Sequence, residues 1–233
     1  MTVEIEVVED PARACGAMLV GASLGGGNVV LTGGSTPRAA YGELVAAVKN
    51  VSLDLSKTTY WLGDERCVPP DDERANSRMI KESLLDPLAG VTAPTFKRIK
   101  GELGPFEGGD DYERELNAAG PPTFDLLLLG VGPDAHTASL FPDQPTVLDR
   151  SRLVVGVEMA GLEPFVPRVS FTFEAIARAR RVVVLASGES KADAVAAAFG
   201  PGARPDPHVP SSYLPEVARE LLVLTDPAGA ARL

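Results

Sequence analysis

The residue best suited to chemistry in this sequence is His136, one of only two histidines among 233 residues. It ends the turn Gly132-Pro133-Asp134-Ala135-His136, so a carboxylate stands two positions before it. An imidazole titrates near pH 6.5 and can therefore take a proton from water at neutral pH. A neighbouring carboxylate can orient the ring and stabilise its protonated form. The turn predicts a general base, His136, oriented by Asp134; the alternative is a structural histidine, the commoner role of a single histidine.

A second candidate is the glycine-rich loop Gly33-Gly34-Ser35-Thr36-Pro37, which leads from an apolar run into a helical pattern. Glycines let the backbone approach an anion closely, and the free N–H groups at a helix start attract it. We therefore predict that Gly33, Gly34, Ser35 and Thr36 bind an anion such as a phosphate. The alternative is a plain turn in which Thr36 caps the helix. The spacings of the Walker and dinucleotide motifs are absent.

Two cations follow other apolar runs and are predicted to complete the anion site. Arg66 closes the tripeptide Asp64-Glu65-Arg66, and Lys191 closes Ser187-Gly188-Glu189-Ser190-Lys191. Arginine offers a planar fork to a phosphate, and lysine offers a point charge. An alternative role for Arg66 is to stabilise an oxyanion. The alternative for both residues is an ordinary solvated surface charge. Asp64 is predicted to bind substrate, although it and Glu65 are also able to pair with Arg66 or cap the next segment.

Apolar runs that suit strands alternate with helical patterns along the chain, and this alternation indicates an α/β protein. The predicted strands are 1–8 (at a sheet edge), 28–32, 58–63, 124–132, 152–159, 180–188 and 220–226, and the predicted helices are 11–24, 37–48, 76–88, 110–120 and 190–200. We predict one domain, residues 1–233, with a mostly parallel open sheet and helices on both faces. Ligands bind beyond the carboxyl ends of such strands, so the four loops should meet at one edge.

Composition excludes several classes of function. The net charge of −10 opposes binding to nucleic acids or acidic membranes. No apolar run reaches the roughly 20 residues of a membrane helix, and the first ten residues lack the pattern of a signal peptide. Cys15 and Cys67 form neither a metal motif nor a disulfide framework, which indicates a reducing, cytoplasmic location. We predict no metal site, no catalytic role for Cys67, and a surface position for His208.

The motifs at 33–37, 64–66 and 130–142 together resemble the glucosamine-6-phosphate isomerase/6-phosphogluconolactonase family. The segment Gly130-Val131-Gly132-Pro133-Asp134-Ala135-His136-Thr137-Ala138-Ser139-Leu140-Phe141-Pro142 is the most specific, and 187–191 and 209–212 match as well. The isomerase and deaminase branch typically has Asp-Glu-Tyr where this chain has Asp64-Glu65-Arg66, and commonly Asn-Glu-Pro after the histidine turn. Both differences favour the lactonase branch.

The resemblance implies a Rossmann-like fold of the sugar-phosphate isomerase/lactonase type. It also implies hydrolysis of 6-phospho-D-glucono-1,5-lactone in the oxidative pentose phosphate pathway, with no cofactor and no catalytic metal. The expected partner is the phosphorylated sugar lactone, and a monomer is the favoured state. One position departs from the family, which usually has glycine where this chain has Ala135. If the main chain there needs a positive φ, alanine is strained by about 1 kcal/mol or more.

Two other functions compete with lactone hydrolysis. The first is isomerase or deaminase chemistry on a sugar phosphate, in which Asp64 would take the C2 proton. The second is a sugar-phosphate-binding effector domain without catalysis, as found in transcription regulators. Such regulators usually carry an N-terminal helix-turn-helix, whereas this chain is expected to begin with a strand, and its sequence has no basic patch.

Overall fold

A parallel sheet of seven strands forms the centre of the protein, which a computed structural model describes over residues 3–120 and 122–233. The strands of this sheet are β1 (Glu4–Val7), β2 (Asn28–Leu31), β3 (Thr59–Leu62), β5 (Thr95–Lys97), β6 (Phe124–Gly130), β9 (Ala179–Ala186) and β10 (Glu220–Thr225). Their spatial order is β1-β10-β9-β6-β2-β3-β5, and every neighbouring pair is parallel. The predicted α/β class and the edge position of the first strand are confirmed; residues 1 and 2 of that predicted strand lie outside the described residues.

Eight α-helical segments accompany the strands in the described part of the chain. They are α1 (Pro11–Leu24), α2 (Ser35–Val51), α3 (Asn76–Ile80), α4 (Asp86–Leu88), α5 (Pro105–Ala118), α6 (Phe173–Ile176), α7 (Ala192–Phe199) and α8 (Leu214–Val217). A π-helical turn, Lys81–Leu85, joins α3 to α4, so the predicted helix 76–88 is continuous but locally widened. None of these described helices has the length and apolar character needed to cross a lipid bilayer.

The two faces of the sheet are covered by different helices, as neighbouring side chains on β3 show. Tyr60 and Trp61 are adjacent in the strand and therefore point to opposite faces. The hydroxyls of Tyr60 and Ser23 lie 2.9 Å apart, which places α1 on one face. The ring of Trp61 meets Tyr112 edge-on at 6.1 Å, which places α5 on the other. Because both faces are covered, β6 is apolar along most of its length and its four leucines are buried.

A second sheet, antiparallel and three-stranded, lies beside the first. It contains β4 (Asp64–Arg66), β8 (Arg168–Phe171) and β7 (Val154–Val157), in that order. The predicted strand 152–159 is therefore a strand, but it belongs to this sheet rather than to the parallel one. The sequence pattern does not predict β4, β5 or β8. The first two have three residues each, too few to show a periodicity, and β8 is a four-residue run that begins with an arginine.

Parallel packing brings the loops with polar residues to one edge of the central sheet. The strands β9, β6, β2 and β3 are neighbours in that order. All four run in the same direction, so their carboxyl ends lie at the same edge. The loops that follow them contain the glycine-rich segment, the Asp-Glu-Arg tripeptide, the histidine turn and Lys191.

Candidate active site

One cavity of about 290 Å³ receives nearly all of the predicted site residues. Its lining includes every predicted site residue except Asp134: Gly33, Gly34, Ser35, Thr36, Asp64, Arg66, His136 and Lys191. It also includes residues that were not predicted, among them Asn76, Phe141, Leu162, Glu163, Arg168 and Ser187. Asp134 reaches the site through its bond to His136. The four loops therefore meet, as expected for the carboxyl edge of a parallel sheet.

The glycine-rich loop ends at the start of α2 and leaves its polar groups free. Gly34 is the residue before the helix and has φ = 116°, a conformation that favours glycine. No side chain caps this helix, so the alternative reading of Thr36 as the cap is wrong. Pro37 lies in the first turn, where the lack of an N–H costs nothing. Unbonded N–H groups of the first turn, with the hydroxyls of Ser35 and Thr36, give this end of the cavity the character of an anion site.

The side chains of His136 and Asp134 form a hydrogen-bonded pair. His136 Nδ1 lies 2.6 Å from Asp134 Oδ1, and the His136 main-chain N–H donates to the same oxygen over 3.2 Å. Burial raises the pKa of the Asp134 carboxyl, but the hydrogen bond and charge of His136 outweigh burial and hold that pKa below its usual value. Asp134 is therefore ionised at neutral pH, and its bond to Nδ1 leaves Nε2 as the ring nitrogen available to a substrate or water.

Close packing holds the imidazole in place. The ring of Phe141 contacts it at 4.7 Å between centroids, and the side chain of His136 is 21% exposed. A Cβ atom on Gly132 would overlap His136 Nδ1 and Asp134 Oδ1, so only glycine fits beside the pair. The turn is closed by two main-chain bonds, from the Gly132 N–H to the His136 carbonyl and from the Ala135 N–H to the Gly132 carbonyl, each 2.9 Å long.

Ala135 has φ = 64°, so the alanine at this position does adopt the left-handed conformation. Its side chain is buried, and its carbonyl accepts a 3.0 Å bond from the Ser211 N–H, which connects the turn to the segment 209–212. The left-handed conformation costs an alanine roughly 1–2 kcal/mol. Burial of the methyl group returns about 0.8 kcal/mol.

We expect Ala135→Gly to change the free energy of unfolding by less than about 1 kcal/mol. Relief of strain is offset by the lost methyl contact and by the larger conformational entropy of glycine in the unfolded chain, which costs about 0.4–1 kcal/mol. Urea unfolding of the two proteins measures this difference. A loss above about 2 kcal/mol would show that packing of the methyl group dominates.

Asp64 is held by two neighbours at the wall of the cavity. The buried hydroxyl of Ser139 donates to its Oδ2 over 2.7 Å, and the Asn76 amide donates to its main-chain carbonyl over 3.0 Å. The Ser139 N–H in turn donates to the hydroxyl of Ser170 on β8. The histidine loop is thereby tied to the second sheet through Asp64 and Ser170. Both carboxylate oxygens of Asp64 accept a bond, Oδ2 from Ser139 and Oδ1 a longer one of 3.4 Å from the Asn76 amide.

Glu65 has a structural role, one of the alternatives open from the sequence. Its carboxylate is buried and accepts bonds of 2.7 Å from the main-chain N–H groups of Arg66, Asn76 and Ser77. Burial raises the pKa of this carboxyl, and these three bonds oppose the rise. Because the last two donors open α3, Glu65 caps that helix and fixes the tripeptide beside the cavity.

The cations Arg66 and Lys191 are not bonded to any carboxylate in the described part of the chain. Arg66 Nη1 donates to the Arg74 carbonyl over 2.6 Å, and its Nε is buried with no partner among the described residues. Lys191 is half-buried; burial lowers the pKa of its ammonium group, and the negative charge of Asp134 opposes that shift. Both charges therefore remain available to an anion in the cavity.

Sequence reasoning missed Arg168, Phe141 and Ser187. Arg168 opens β8 with a buried guanidinium, and the Ser187 hydroxyl is buried without a partner in the described part. The run Arg-Val-Ser-Phe after Pro167 is a weak strand pattern, and an arginine in it reads as a surface charge. Only the packing of the second sheet against the histidine loop brings it into the cavity.

The two cysteines and His208 have no part in the candidate active site. Burial raises the pKa of both thiols to about 12, with the charge of Glu65 adding to the effect at Cys67, so neither thiol is ionised at neutral pH. His208 is exposed and paired with Asp143. Within 3–120 and 122–233, no group of three or more histidine, cysteine or carboxylate side chains is arranged to hold a metal ion.

Comparison with known proteins places the chain in a family. The sequence model described as glucosamine-6-phosphate isomerases/6-phosphogluconolactonase matches residues 8–223. A curated 6-phosphogluconolactonase from Streptomyces coelicolor is 37% identical over 227 residues, which cover 91% of this chain and 84% of that protein.

Two solved structures have the same fold. The 6-phosphogluconolactonase from Thermotoga maritima has a TM-score of 0.78 at 28% identity, with 97% of this chain and 99% of that one covered. The 6-phosphogluconolactonase from Trypanosoma cruzi has a TM-score of 0.83 at 24% identity, covering 100% and 98%. With both branch-specific motifs in the cavity, the resemblance seen in the sequence is confirmed. The chain belongs to the glucosamine-6-phosphate isomerase/6-phosphogluconolactonase family.

Proposed function

We propose that the protein hydrolyses 6-phospho-D-glucono-1,5-lactone to 6-phospho-D-gluconate, a reaction of the pentose phosphate pathway. The observation that carries this proposal is the hydrogen-bonded pair of Asp134 and His136 in the same cavity as the glycine-rich loop. One end of the cavity suits a phosphate and the other presents a base to an ester. Curated relatives that are 37% identical to this chain over the aligned residues carry the name 6-phosphogluconolactonase.

Binding begins with the phosphate. The N–H groups and hydroxyls at the start of α2, contributed by Ser35 and Thr36, hold it together with the charge of Lys191. Gly33 and Gly34 let the main chain approach the anion. Held at this end, the lactone ring lies over the histidine turn, and positioning of this kind lowers the barrier by removing the entropy of encounter.

His136 then acts as the general base. Its Nε2 takes a proton from a water molecule as the water oxygen attacks the C1 carbonyl, and Asp134 stabilises the imidazolium that forms. The negative charge that develops on the carbonyl oxygen is stabilised by Arg66. The imidazolium next returns its proton to the ring oxygen as the C1–O bond breaks, which leaves the carboxylic acid and restores neutral His136.

A spectrophotometric assay of lactone disappearance, coupled to oxidation of the product, tests this function directly. The same preparation is given glucosamine 6-phosphate, and ammonia release is followed. Rapid lactone turnover without ammonia supports the proposal, whereas ammonia release with no lactone turnover supports the deaminase alternative. Asp64 would be the base in that reaction, and its bond from Ser139 occupies one of its oxygens.

Chelation is expected to leave the activity unchanged. The proposed base activates water without a metal ion, and the described residues offer no metal-binding group. Turnover is measured before and after dialysis against EDTA. A loss of activity that Zn²⁺ restores would contradict the metal-free mechanism.

The proposed function also bears on domain organisation, oligomeric state, location and partners. We propose that residues 1–233 act as one lactonase domain, because the site residues of this chain line one cavity or, in the case of Asp134, bond to a residue that does. For the same reason a monomer is sufficient for activity, which light scattering on the active protein tests. Two free cysteines favour a reducing compartment, so we place the enzyme in the cytoplasm. The net charge of −10 argues against nucleic-acid and membrane partners.

A further inference from the structure

Arg168 is a buried charge that bonds to no carboxylate among the described residues. Only 4% of the residue is exposed, yet it lines the cavity. Within 3–120 and 122–233 its hydrogen bonds go to two main-chain carbonyls: Nε donates to Val166 over 3.2 Å, and Nη2 donates to Pro164 over 2.8 Å. Buried charges are normally paired, because leaving water costs them free energy. The remaining N–H groups of this guanidinium are therefore available to an anion in the cavity.

A second positive charge stands beside it. Burial lowers the pKa of Arg168, and the charge of Arg66 lowers it further, against the opposing charges of Asp64 and Glu65. Arg66 lies on β4 and Arg168 opposite it on β8, where the two residues are register partners. Two like charges side by side in a cavity repel each other, and a bound anion relieves that repulsion.

The position of this arginine pair differs from that of the phosphate site. Arg66 and Arg168 belong to the second sheet, whereas the start of α2 and Lys191 follow strands of the central sheet. The ring of Phe141 contacts the imidazole of His136 at 4.7 Å and lies 5.9 Å from the guanidinium carbon of Arg168. Arg168 is thus separated from the general base by one aromatic ring, at the reacting end of the cavity.

We propose that Arg168, together with Arg66, binds the C1 end of the substrate and the carboxylate of the product. This inference rests on the proposed function. Attack of water makes the C1 carbonyl oxygen negative, and the carboxylic acid left at C1 by ring opening ionises to a carboxylate, so this end acquires a charge that the lactone lacks. A planar guanidinium fits a carboxylate through two parallel bonds, which lysine cannot reproduce. Arg168 therefore contributes more to binding of product than of lactone.

Calorimetric titration with two ligands tests the assignment. 6-Phospho-D-gluconate has both the phosphate and the C1 carboxylate, whereas D-glucitol 6-phosphate has the phosphate and an uncharged C1. We expect Arg168→Met to weaken binding of the gluconate roughly 10- to 100-fold, the range for a lost charged hydrogen bond. Binding of the glucitol should change less than about threefold. Arg180→Met, at an exposed arginine paired with Asp125 on the amino-end side of β9, removes one charge elsewhere and should change neither affinity.

Other results would overturn the proposal. Equal losses for both ligands would assign Arg168 to the phosphate, and unchanged affinity for both would leave it only a structural role. If Arg168→Met does not fold, Arg168→Lys keeps the positive charge but not the planar guanidinium. The lysine variant should lose affinity for the gluconate but not for the glucitol. If it binds the gluconate as tightly as the unmodified protein does, the two parallel bonds from the guanidinium are not formed. Lactone turnover by the unmodified protein is measured separately, so failure of the proposed reaction is distinguished from failure of this assignment.

Discussion

Replacing His136 with alanine is expected to lower kcat at least about 100-fold while the protein stays folded. General-base assistance is typically worth 10²–10⁴-fold, and the imidazole is the only base paired with an ionised carboxylate in the described cavity. KM should change little, because the phosphate contacts lie elsewhere. Steady-state kinetics of lactone hydrolysis measure both constants, after correction for the spontaneous hydrolysis of the lactone.

The chain contains a matched control for this variant. His208 is also bonded to a carboxylate, Asp143, but that pair is exposed at the surface. His208→Ala should therefore leave kcat unchanged. Added imidazole should partly restore turnover in His136→Ala, because the lost ring leaves space beside Phe141. If the His136 variant retains near-normal turnover, the general-base role is wrong.

Replacing Lys191 with alanine is expected to raise KM for the phosphorylated lactone by about tenfold or more. A hydrogen bond to a charged group is worth about 1.5–3 kcal/mol, and Lys191 is half-buried with no carboxylate partner in the described part. The effect should fall mainly on KM, because the phosphate is distant from the reacting carbon. D-Glucono-1,5-lactone, which lacks the phosphate, should be hydrolysed by both proteins with similar kcat/KM.

The comparison of the two lactones decides the role of Lys191. Equal losses with both would mean that Lys191 acts at the ring or at C1 rather than on the phosphate. Lys81→Ala provides the control, because Lys81 is exposed and its ion pair with Asp86, at 3.1 Å, is of the kind that contributes little. Its kinetic constants should match those of the unmodified protein.

The inner strands of the central sheet were predictable from sequence because they are buried on both faces, whereas the three-residue edge strand β5 was not. The run 124–132 is apolar except for Asp125 and is bounded by turn residues, so its assignment as β6 needed no tertiary information. In the second sheet only β7 was predictable, since β4 and β8 are short and each begins with a charged residue. Asp64 and Arg168 become strand residues through pairing between distant segments, β4 with β8 and β8 with β7.

The candidate site likewise contains residues that the sequence predicts and residues that it does not. The glycine-rich loop and the histidine turn were found because each is contiguous in the sequence and follows a predictable strand. Arg168 and Phe141 were missed because their chemistry depends on contacts between distant segments, and a lone arginine or phenylalanine has many roles. The sequence shows that Ala135 would be strained if its φ were positive, but only the structure gives the sign of φ, which is positive.

The protonation of the two native cysteines has a practical consequence for labelling. Both thiols stay protonated at neutral pH because burial raises their pKa values. Maleimide reagents require the thiolate, so they should leave the unmodified chain largely unlabelled. A cysteine introduced at exposed Lys57, just before β3 and on the side of the sheet away from the cavity, would then be the one position that accepts a fluorophore.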